Sequence, residues 1–404
     1  MATPEREQKH GRRRWLMLAL GVNAHASVTL GLFGLPLVMP DLQRFFGLSL
    51  PVAGIVANAP AIGVLFALVP WGVLADRHGE RLVLGVGVGL AAVFFGAVTL
   101  VGGVWAVVAL LALAGAAGSA AMVGGGRIVL RWFEPPERGV AMGVRQVSYT
   151  LGMAVAAFVL PPVSRAHGVP GVLGVCAAVS LLAAVLAVLF LAEPPHDAPG
   201  SGAAPAGSPY RRPALWRVHG TSALHAVPQI VVSTYGVACL VHVYGWDGVD
   251  AGRLFGVAAI GGAVVRIAVG RWSDRTGLRM APLRLLTFGS LVVLTLLLAG
   301  TFTGSWPGTV MLALAAVITV AGNGLAYLAA GELAGPGAAG RVLGTHNTIQ
   351  NVVALAVTPL AGLLITREGY WAGFAAGLVC ALVSVPVIPV RGERGAHTTP
   401  TGVT

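Results

Sequence analysis

The sequence predicts an all-α membrane protein whose twelve transmembrane helices form two pseudo-symmetric six-helix bundles. Of its 404 residues, 56% are hydrophobic and 10% are charged, whereas an ordinary soluble domain has about 25% charged residues. Apolar runs of about twenty residues, the length that an α-helix needs to cross the hydrocarbon core, recur along the chain. Two stretches of the first half also return in the second half, which indicates a duplicated unit.

The apolar runs are predicted to be helices because backbone polar groups in lipid must be paired within the chain. The three cysteines, Cys176, Cys239 and Cys380, lie inside these runs and show no disulfide or metal-binding pattern, so we expect them to be core residues. The predicted helices cover residues 15–38, 51–75, 82–101, 104–130, 139–162, 170–192, 214–242, 251–272, 281–301, 307–331, 341–366 and 369–390.

The distribution of basic residues predicts the orientation in the membrane. With the N-terminus in the cytoplasm, the cytoplasmic tails and loops, together with the helix ends that flank them, hold 19 of the 26 Lys and Arg residues, and the opposite loops and helix ends hold 4. Cytoplasmic loops are generally rich in Lys and Arg. We therefore expect both termini in the cytoplasm, a location in the inner (plasma) membrane, and no nucleic-acid binding despite the formal charge of +11.

The tails and the linker complete the predicted organisation. GRRRWLML (11–18) superficially resembles a twin-arginine export signal, but no small-residue cleavage site follows it. EPPHDAPGSGAAPAGSPYRRP (193–213) is rich in Pro, Gly, Ala and Ser and suits a flexible linker. The predicted segments are a cytoplasmic N-tail (1–14), an N-terminal bundle (15–192), a cytoplasmic linker (193–213), a C-terminal bundle (214–390) and a cytoplasmic C-tail (391–404).

One repeated motif follows the second helix of each half. GVLADRHGER (72–81) and GRWSDRTG (270–277) share the pattern G-x-x-x-D-R-x-G, so that Asp76 matches Asp274. Small residues let neighbouring helices approach closely. The aspartates can cap helix ends or pair with cations, and the arginines after them can face anionic lipid or a carboxylate.

A second repeat supports the duplication. GVAMGVRQVSYTLG (139–152) aligns with GRVLGTHNTIQNVV (340–353) at a nearly equal offset, so that Arg145 matches His346. In membrane transporters built from such repeats, the substrate site lies near the midplane at the repeat interface.

With twelve helices, two repeated halves, a central linker and this signature loop, the chain resembles the major facilitator superfamily. The resemblance implies the major facilitator fold: two bundles that rock about a central cavity lined by helices 1, 2, 4, 5, 7, 8, 10 and 11. It implies a secondary active transporter that works by alternating access. The alternative for the signature loop is a solvated turn whose charges only set topology. The predicted gating residues are Gly72, Asp76, Arg77, Gly79, Arg81, Asp274 and Arg275.

Three arginines lie within predicted helices and away from the residues counted at the helix ends. Arg266 lies eight residues before Asp274, which places it roughly 12 Å from the cytoplasmic helix end at about 1.5 Å per residue. A charge at this depth is costly and indicates function, so Arg266 is predicted to face the cavity and contact an anion. A buried pair with a carboxylate is the alternative, but no Asp or Glu lies near mid-depth. Arg145 is either a second substrate cation or part of the cytoplasmic gate. Arg127 is expected to snorkel or to pair with Asp76 or Glu134.

Polar residues at i,i+4 spacing form stripes on helices 1, 7, 10 and 11. A single such residue usually makes an interhelical hydrogen bond of about 0.6 kcal/mol, but the stripes fall on helices that the superfamily fold turns inward. Because imidazole titrates near pH 6.5, His25, His225 and His346 are proton-coupling candidates. The predicted substrate-binding residues are Arg266, Arg145, His25, His225, Tyr149, Asn323, Tyr327, His346, Asn347 and Gln350.

The predicted cargo is a small organic anion, a carboxylate. Arg266 in R-x-x-x-G resembles the helix-8 arginine that binds substrate in monocarboxylate and oxalate/formate transporters. The chain departs from that branch because helices 1 and 11 lack lysines and Gly262 replaces an aspartate of the mammalian carriers. The expected partners are this solute, protons and the lipid bilayer; no obligate protein partner is inferred.

Other function classes fit the sequence less well. Proton-driven drug efflux is the main alternative, but helix 4 has no mid-span arginine and helix 5 has no G-P-x-x-G-G motif. A membrane sensor or scaffold would need a cytoplasmic signalling domain, and the tails are short. An enzyme would need a nucleophile–base pair, a metal cluster or paired carboxylates, and no such motif is visible. No cofactor or metal is predicted.

Overall fold

The computed structural model describes residues 4–192, 207–335 and 337–390. Residues 193–206 of the predicted linker, the whole predicted C-tail and residues 1–3 of the N-tail lie outside the described residues. Helices dominate the described ranges: α1 Pro4–Gly34, α2 Met39–Phe46, α3 Leu50–Val98, α4 Val104–Gly118, α5 Ala120–Trp132, α6 Arg138–Phe190, α7 Pro213–His242, α8 Gly248–Thr276, α9 Met280–Thr303, α10 Trp306–Ala321, α11 Asn323–Ala334, α12 Ala339–Glu368 and α13 Tyr370–Val387. Short 3₁₀ turns cover Leu35–Val38, Pro135–Glu137 and Pro209–Arg211.

Ten helical stretches in the described residues are long and apolar enough to cross a membrane. Two of them are long enough for two crossings, and each contains one glycine in a conformation that does not belong to a helix. Gly79 in α3 has φ 80° and ψ 171°, and Gly168 in α6 has φ 65° and ψ −167°. Only glycine adopts such angles readily. The all-α membrane fold is confirmed. The count of twelve spans stays a prediction, with which a division of both long stretches at these glycines would agree.

Two predicted helices are interrupted near the middle, which the hydrophobic pattern did not predict. The helix predicted over 104–130 divides into α4 and α5 at Ser119, and the one predicted over 307–331 divides into α10 and α11 at Gly322. The Ser119 hydroxyl donates to the Ala116 carbonyl at 2.8 Å, an intrahelical bond that often bends helices. The two breaks occupy corresponding places in the repeats.

The described chain divides into two compact units. The first holds residues 4–134, 145–192, 334–335 and 337–348, and the second holds 135–144, 207–333 and 349–390. The beginning of α6 therefore belongs to the second unit and the beginning of α12 to the first.

Glycines allow very close helix packing in the first unit. A Cβ added at Gly115 of α4 would lie 2.6 Å from the carbonyl carbon of Pro60 in α3. One added at Gly63 would lie 2.7 Å from the carbonyl carbon of Ala112. Both distances are too short for real atoms, so the two helices can pack this tightly only because glycine lacks a side chain.

The second unit packs around a mainly aliphatic core. Its fully buried residues include Val231 and Leu240 of α7, Leu294 of α9, Leu312 of α10 and Phe374 of α13. The apolar side chains of this core offer no hydrogen-bond partners. A polar group buried in this unit must therefore bond to another polar group there.

Candidate functional site

A buried polar chain joins α1 to α6 in the first unit. The Nδ1 of His25 lies 2.6 Å from the Ser148 hydroxyl, which donates to the Arg145 carbonyl oxygen at 2.6 Å. All three residues are buried. Gly152 lets the two helices approach, because a Cβ there would lie 2.7 Å from Thr29 Cβ. The sequence predicts His25 and Arg145 as binding residues on different helices, and the structure places them in one cluster.

The Arg145 side chain lies against α5 rather than in open space. Its residue exposure is only 3%, and its Nη2 donates to the Met122 carbonyl oxygen. Its Nη1 donates to Gln146 Oε1 at 3.0 Å. A Cβ at Gly125 would lie 3.2 Å from the Arg145 Nε, so the guanidinium occupies room that this glycine leaves. Arg145 is thus a buried cation with backbone and side-chain acceptors.

Arg266 lies within α8 and is half-buried. Its Nε donates to the Val320 carbonyl oxygen in α10 at 3.2 Å. The backbone beside it is tightly packed, because a Cβ at Gly143 would lie 2.8 Å from the Arg266 carbonyl oxygen. The Arg266 guanidinium therefore lies within a helical span, on the side of α8 that meets α10.

The polar stripe on α7 contacts several helices of the second unit. Gln350 in α12 donates to Ser222 at 2.7 Å, and Asn323 in α11 donates to the Gln229 side chain at 2.6 Å. His225 points elsewhere: its Nε2 lies 3.0 Å from the hydroxyls of Thr287 in α9 and Ser384 in α13. Gln350 of α12 and Asn323 of α11 thus bond directly to side chains of α7, and His225 joins α7 to α9 and α13.

The other predicted binding residues differ in exposure. Tyr149 is 45% exposed and its ring packs edge-on against Phe33, with 5.6 Å between ring centroids. Tyr327 and His346 are each 1% exposed. Asn347 is half-buried. Tyr149 is therefore the most accessible aromatic residue of the predicted set.

The first signature motif forms a buried ionic cluster at the kink in α3. Asp76 accepts the backbone N–H groups of Gly340 and Arg341, at 2.7 Å and 3.0 Å, at the first turn of α12. It also pairs with Arg127 of α5. Glu80, one turn later, accepts from Arg127 Nε and Arg131 Nη1, both at 2.8 Å. Two carboxylates and two guanidinium groups therefore neutralise each other, and Asp76 satisfies N–H groups of a helix N-terminus.

The second motif repeats the backbone contact. Asp274 accepts the N–H groups of Gly139 and Val140, both at 2.8 Å, at the beginning of α6. It also pairs with Arg279 at 2.7 Å. Arg279 donates in turn to Glu332 of α11 at 3.3 Å. The two aspartates thus make matching contacts in the two repeats.

The charged groups that complete the two clusters, however, have opposite signs in the two repeats. In the first repeat α3, just after its kink at Gly79, supplies the acid, Glu80, and α5 supplies the bases, Arg127 and Arg131. In the second repeat the loop after α8 supplies the base, Arg279, and α11 supplies the acid, Glu332. Pairing is retained although the charges exchange places.

Arg279 lies between α8 and α9. Burial lowers the pKa of Arg279, but the negative charges of Glu332 and Asp274 and the hydrogen bonds to both carboxylates together raise the pKa by more, so that it lies above the ordinary value for arginine. Arg279 therefore stays charged at every pH that the protein meets.

The remaining predicted gating residues lie at the edge of these clusters. Gly72 faces the first turn of α12, since a Cβ there would lie 2.7 Å from the Gly340 carbonyl carbon. Arg81 donates to the Val188 carbonyl at 2.8 Å. Arg77 and Arg275 are exposed. The sequence reasoning missed Glu80, Arg279, Glu332 and Ser148. Glu80 lies inside the quoted motif, and Arg279 lies only five residues after Asp274, so the sequence around the motifs could have indicated both. Glu332 lies 53 residues from Arg279, and Ser148 lies 123 residues from His25, so no local pattern indicates these two contacts.

The fold and its two matching aspartate clusters define a multi-pass helical membrane protein. The sequence model of the Major Facilitator Superfamily matches residues 22–358. A Mycobacterium tuberculosis (strain H37Rv) protein named as an uncharacterized MFS-type transporter is 38% identical over 381 residues, which cover 94% of this chain and 85% of that protein. The chain belongs to the Major Facilitator Superfamily, as its resemblance predicted, and it is a transporter of small solutes.

Two further similarities are more distant. The probable anion transporter 4, chloroplastic, of Arabidopsis thaliana is 32% identical over 127 residues, 31% of this chain and 24% of that one. The crystal structure of the Escherichia coli fucose:proton symporter superposes with a TM-score of 0.73 at 15% identity, over 96% of this chain and 100% of that chain. At that identity the superposition shows the common fold alone.

Proposed function

We propose that this transporter moves a small organic anion, a carboxylate, by alternating access and couples its movement to protons. The observation that carries the proposal is the half-buried guanidinium of Arg266 inside α8. An ionisable group within a membrane span is expensive to keep and generally marks a substrate or ion pathway. An arginine presents a planar fork of donors that matches a carboxylate.

Two further features support an anionic cargo. Arg145 adds a second buried cation, on α6. The Asp and Glu residues of the sequence fall near helix ends or outside the predicted helices, so that cationic and neutral polar groups dominate the spans. The partial similarity to a plant protein named as a probable anion transporter agrees with this proposal.

Histidines are the residues that we propose for proton coupling. Imidazole gains and loses a proton near neutral pH, and the spans hold His25, His225 and His346 but no carboxylate near mid-depth. Of the three, His25 shares a buried cluster with a cation, Arg145. A carboxylate cargo beside such a pair favours the charged imidazolium, because opposite charges attract.

The two ionic clusters are proposed to form the cytoplasmic gate. Asp76 and Asp274 each bind the first N–H groups of a helix that is distant in sequence. Breaking these contacts would free the first turns of α12 and α6 and open the cytoplasmic side.

Uptake into proteoliposomes tests the cargo. Wild-type protein is assayed with a panel of labelled carboxylates, neutral sugars, amines and cationic drugs, beside Arg266→Ala. A matched control is Arg253→Ala, in which the lost side chain is 75% exposed near the other end of the same helix. We expect carboxylate uptake in the wild type and the control, and a loss of at least about tenfold in Arg266→Ala, since hydrogen bonds to charged groups contribute about 1.5–3 kcal/mol. Uptake of sugars or amines with no response to carboxylates would overturn the proposal.

A further inference from the structure

The hydrogen bonds of Ser148 determine which nitrogen of His25 carries a hydrogen. The Ser148 hydroxyl donates its single proton to the Arg145 carbonyl, three residues earlier in the same helix, at 2.6 Å. A hydroxyl has one donor and two acceptor lone pairs. At its 2.6 Å contact with His25 Nδ1, the Ser148 oxygen can therefore only accept. Nδ1 must carry a hydrogen, and Nε2 is the nitrogen that can hold a lone pair.

This bond is present in both charge states of the ring, with Nδ1 as the donor in each. Neutral imidazole with a hydrogen on Nδ1 and the doubly protonated imidazolium both donate from Nδ1. A proton from water can add to the Nε2 lone pair and later leave the same nitrogen, while the Nδ1–H bond neither forms nor breaks. Ser148 therefore holds the ring in place without hindering the exchange.

The charged and titratable groups of the first unit, to which His25 belongs, lie on several helices. Arg127 and Arg131 of α5 are paired with the acids of the first ionic cluster, and Arg44 of α2 is paired with Asp41. Outside α3, the other arginines and histidines with described side chains are Arg12, Arg13 and Arg14 of α1, Arg145, Arg165 and His167 of α6, and Arg341 and His346 of α12. The titratable residues of α3 fall in its stretch 76–81 around the kink, and α4 contains none. The cation of Arg145 is thus the charge that shares the His25 cluster.

His225 provides the contrast. Its Nε2 lies 3.0 Å from the hydroxyls of Thr287 and Ser384, and these donate their own protons to the carbonyls of Leu283 and Ala381. By the same accounting, Nε2 of His225 must carry a hydrogen, and this one hydrogen is shared between the two hydroxyl oxygens. The His225 ring thus bridges α9 and α13 through Nε2. In His25, by contrast, Nε2 is the nitrogen that is available for proton exchange.

We infer that Ser148 is a positioning residue that keeps a hydrogen on His25 Nδ1, so that Nε2 takes up and releases the proton coupled to transport. The inference rests on the proposed function, since it assigns an atom to the coupling.

Nitrogen NMR of ¹⁵N-histidine-labelled wild-type protein in lipid nanodiscs tests the tautomers directly, with His25→Gln and His225→Gln to assign the signals. Above the pH at which the rings become neutral, we expect His25 to carry its hydrogen on Nδ1 and His225 on Nε2. Ser148→Ala should move His25 toward the Nε2–H form, and Ser148→Thr, which keeps a hydroxyl, should restore Nδ1–H. A wild-type His25 with its hydrogen on Nε2 would overturn the inference without any variant.

Proton-coupled uptake in proteoliposomes gives the functional readout. A hydrogen bond from a charged donor is stronger than one from a neutral donor. We therefore expect Ser148→Ala to lower the pH of half-maximal coupled uptake by about 0.5–1 unit. Ser180→Ala is the matched control, because Ser180 is a buried serine of the same helix whose hydroxyl has no hydrogen-bond partner in the described structure.

The possible outcomes distinguish a failure of the proposed proton coupling from a failure of the role proposed for Ser148. Anion uptake without proton movement in the wild type would overturn both the coupling and the role of Ser148. Proton coupling with an unchanged profile in Ser148→Ala would overturn the role of Ser148 alone.

Discussion

At the scale of single residues, the shape of the Arg266 side chain makes a prediction separate from its charge. Lysine keeps the positive charge but replaces the planar fork with a point charge. We expect Arg266→Lys to weaken carboxylate binding by about tenfold, because one of two charge-assisted hydrogen bonds is lost. Titration of purified protein with a labelled carboxylate measures the change. Arg253→Lys, at an exposed site, should bind as the wild type does; equal affinity in both variants would argue against direct contact.

Arg127 tests the strength of the first ionic cluster. It bonds both Asp76 and Glu80, and Glu80 is only 3% exposed. Removing one member of a buried ion pair leaves an uncompensated charge and costs about 3–5 kcal/mol. We expect Arg127→Ala to unfold at a clearly lower temperature than the wild type in the same detergent.

The control for this prediction is Arg44→Ala. Arg44 pairs with Asp41, but its side chain is 78% exposed, and surface pairs contribute about 0–1 kcal/mol. Similar unfolding temperatures for Arg127→Ala and Arg44→Ala would show that the buried cluster contributes little to stability.

Residues also show how far the sequence alone can predict the site. The repeated motif identified Asp76 and Asp274 as equivalent, and both bind helix N-termini. The sequence could not identify Ser148 as the partner of His25, because 123 residues separate them and many buried serines exist. It also could not tell that His225 turns toward α9 and α13, since a helical stripe shows spacing but not the neighbour that it meets.

At the scale of helices, glycine contacts hold the first turn of α12 against α3. A Cβ at Gly72 would lie 2.7 Å from the Gly340 carbonyl carbon and 2.8 Å from Arg341 Cα. These are backbone atoms, so a methyl group would force the helices apart. We expect Gly72→Ala to destabilise the protein by about 1–3 kcal/mol, as overpacking does, and to increase labelling of a cysteine introduced near the first turn of α12.

Gly96→Ala is the matched control on the same helix. Nothing lies within 4 Å of a Cβ added there, and alanine favours a helix over glycine by up to about 1 kcal/mol. Its thermal midpoint should equal or exceed that of the wild type. If Gly72→Ala behaved like Gly96→Ala, the close packing at α12 would not matter for stability.

The helices also show which parts of the fold were predictable. Hydrophobic length predicted the spans, and the motif already included the α3 kink glycine, Gly79. The breaks at Ser119 and Gly322 were not predictable, because both lie in apolar stretches with no proline or charge to signal an end. The exchange of charge signs between the two repeats was also not predictable, because ion pairing depends on which helix lies beside each motif.

At the scale of the whole molecule, the distribution of basic residues predicts the topology. Because 19 of 26 Lys and Arg residues fall on one side, we expect the C-terminus in the cytoplasm. A fluorescent protein fused after Thr404 should therefore fluoresce in a bacterial host, while alkaline phosphatase fused at the same place should be inactive, since it folds only after export. Alkaline phosphatase fused after Gly245, between α7 and α8, should be active as the positive control. An active C-terminal phosphatase would show that the orientation is the opposite of the predicted one. The ionic clusters of Asp76 and Asp274 would then lie on the outer side, where they could not form a cytoplasmic gate.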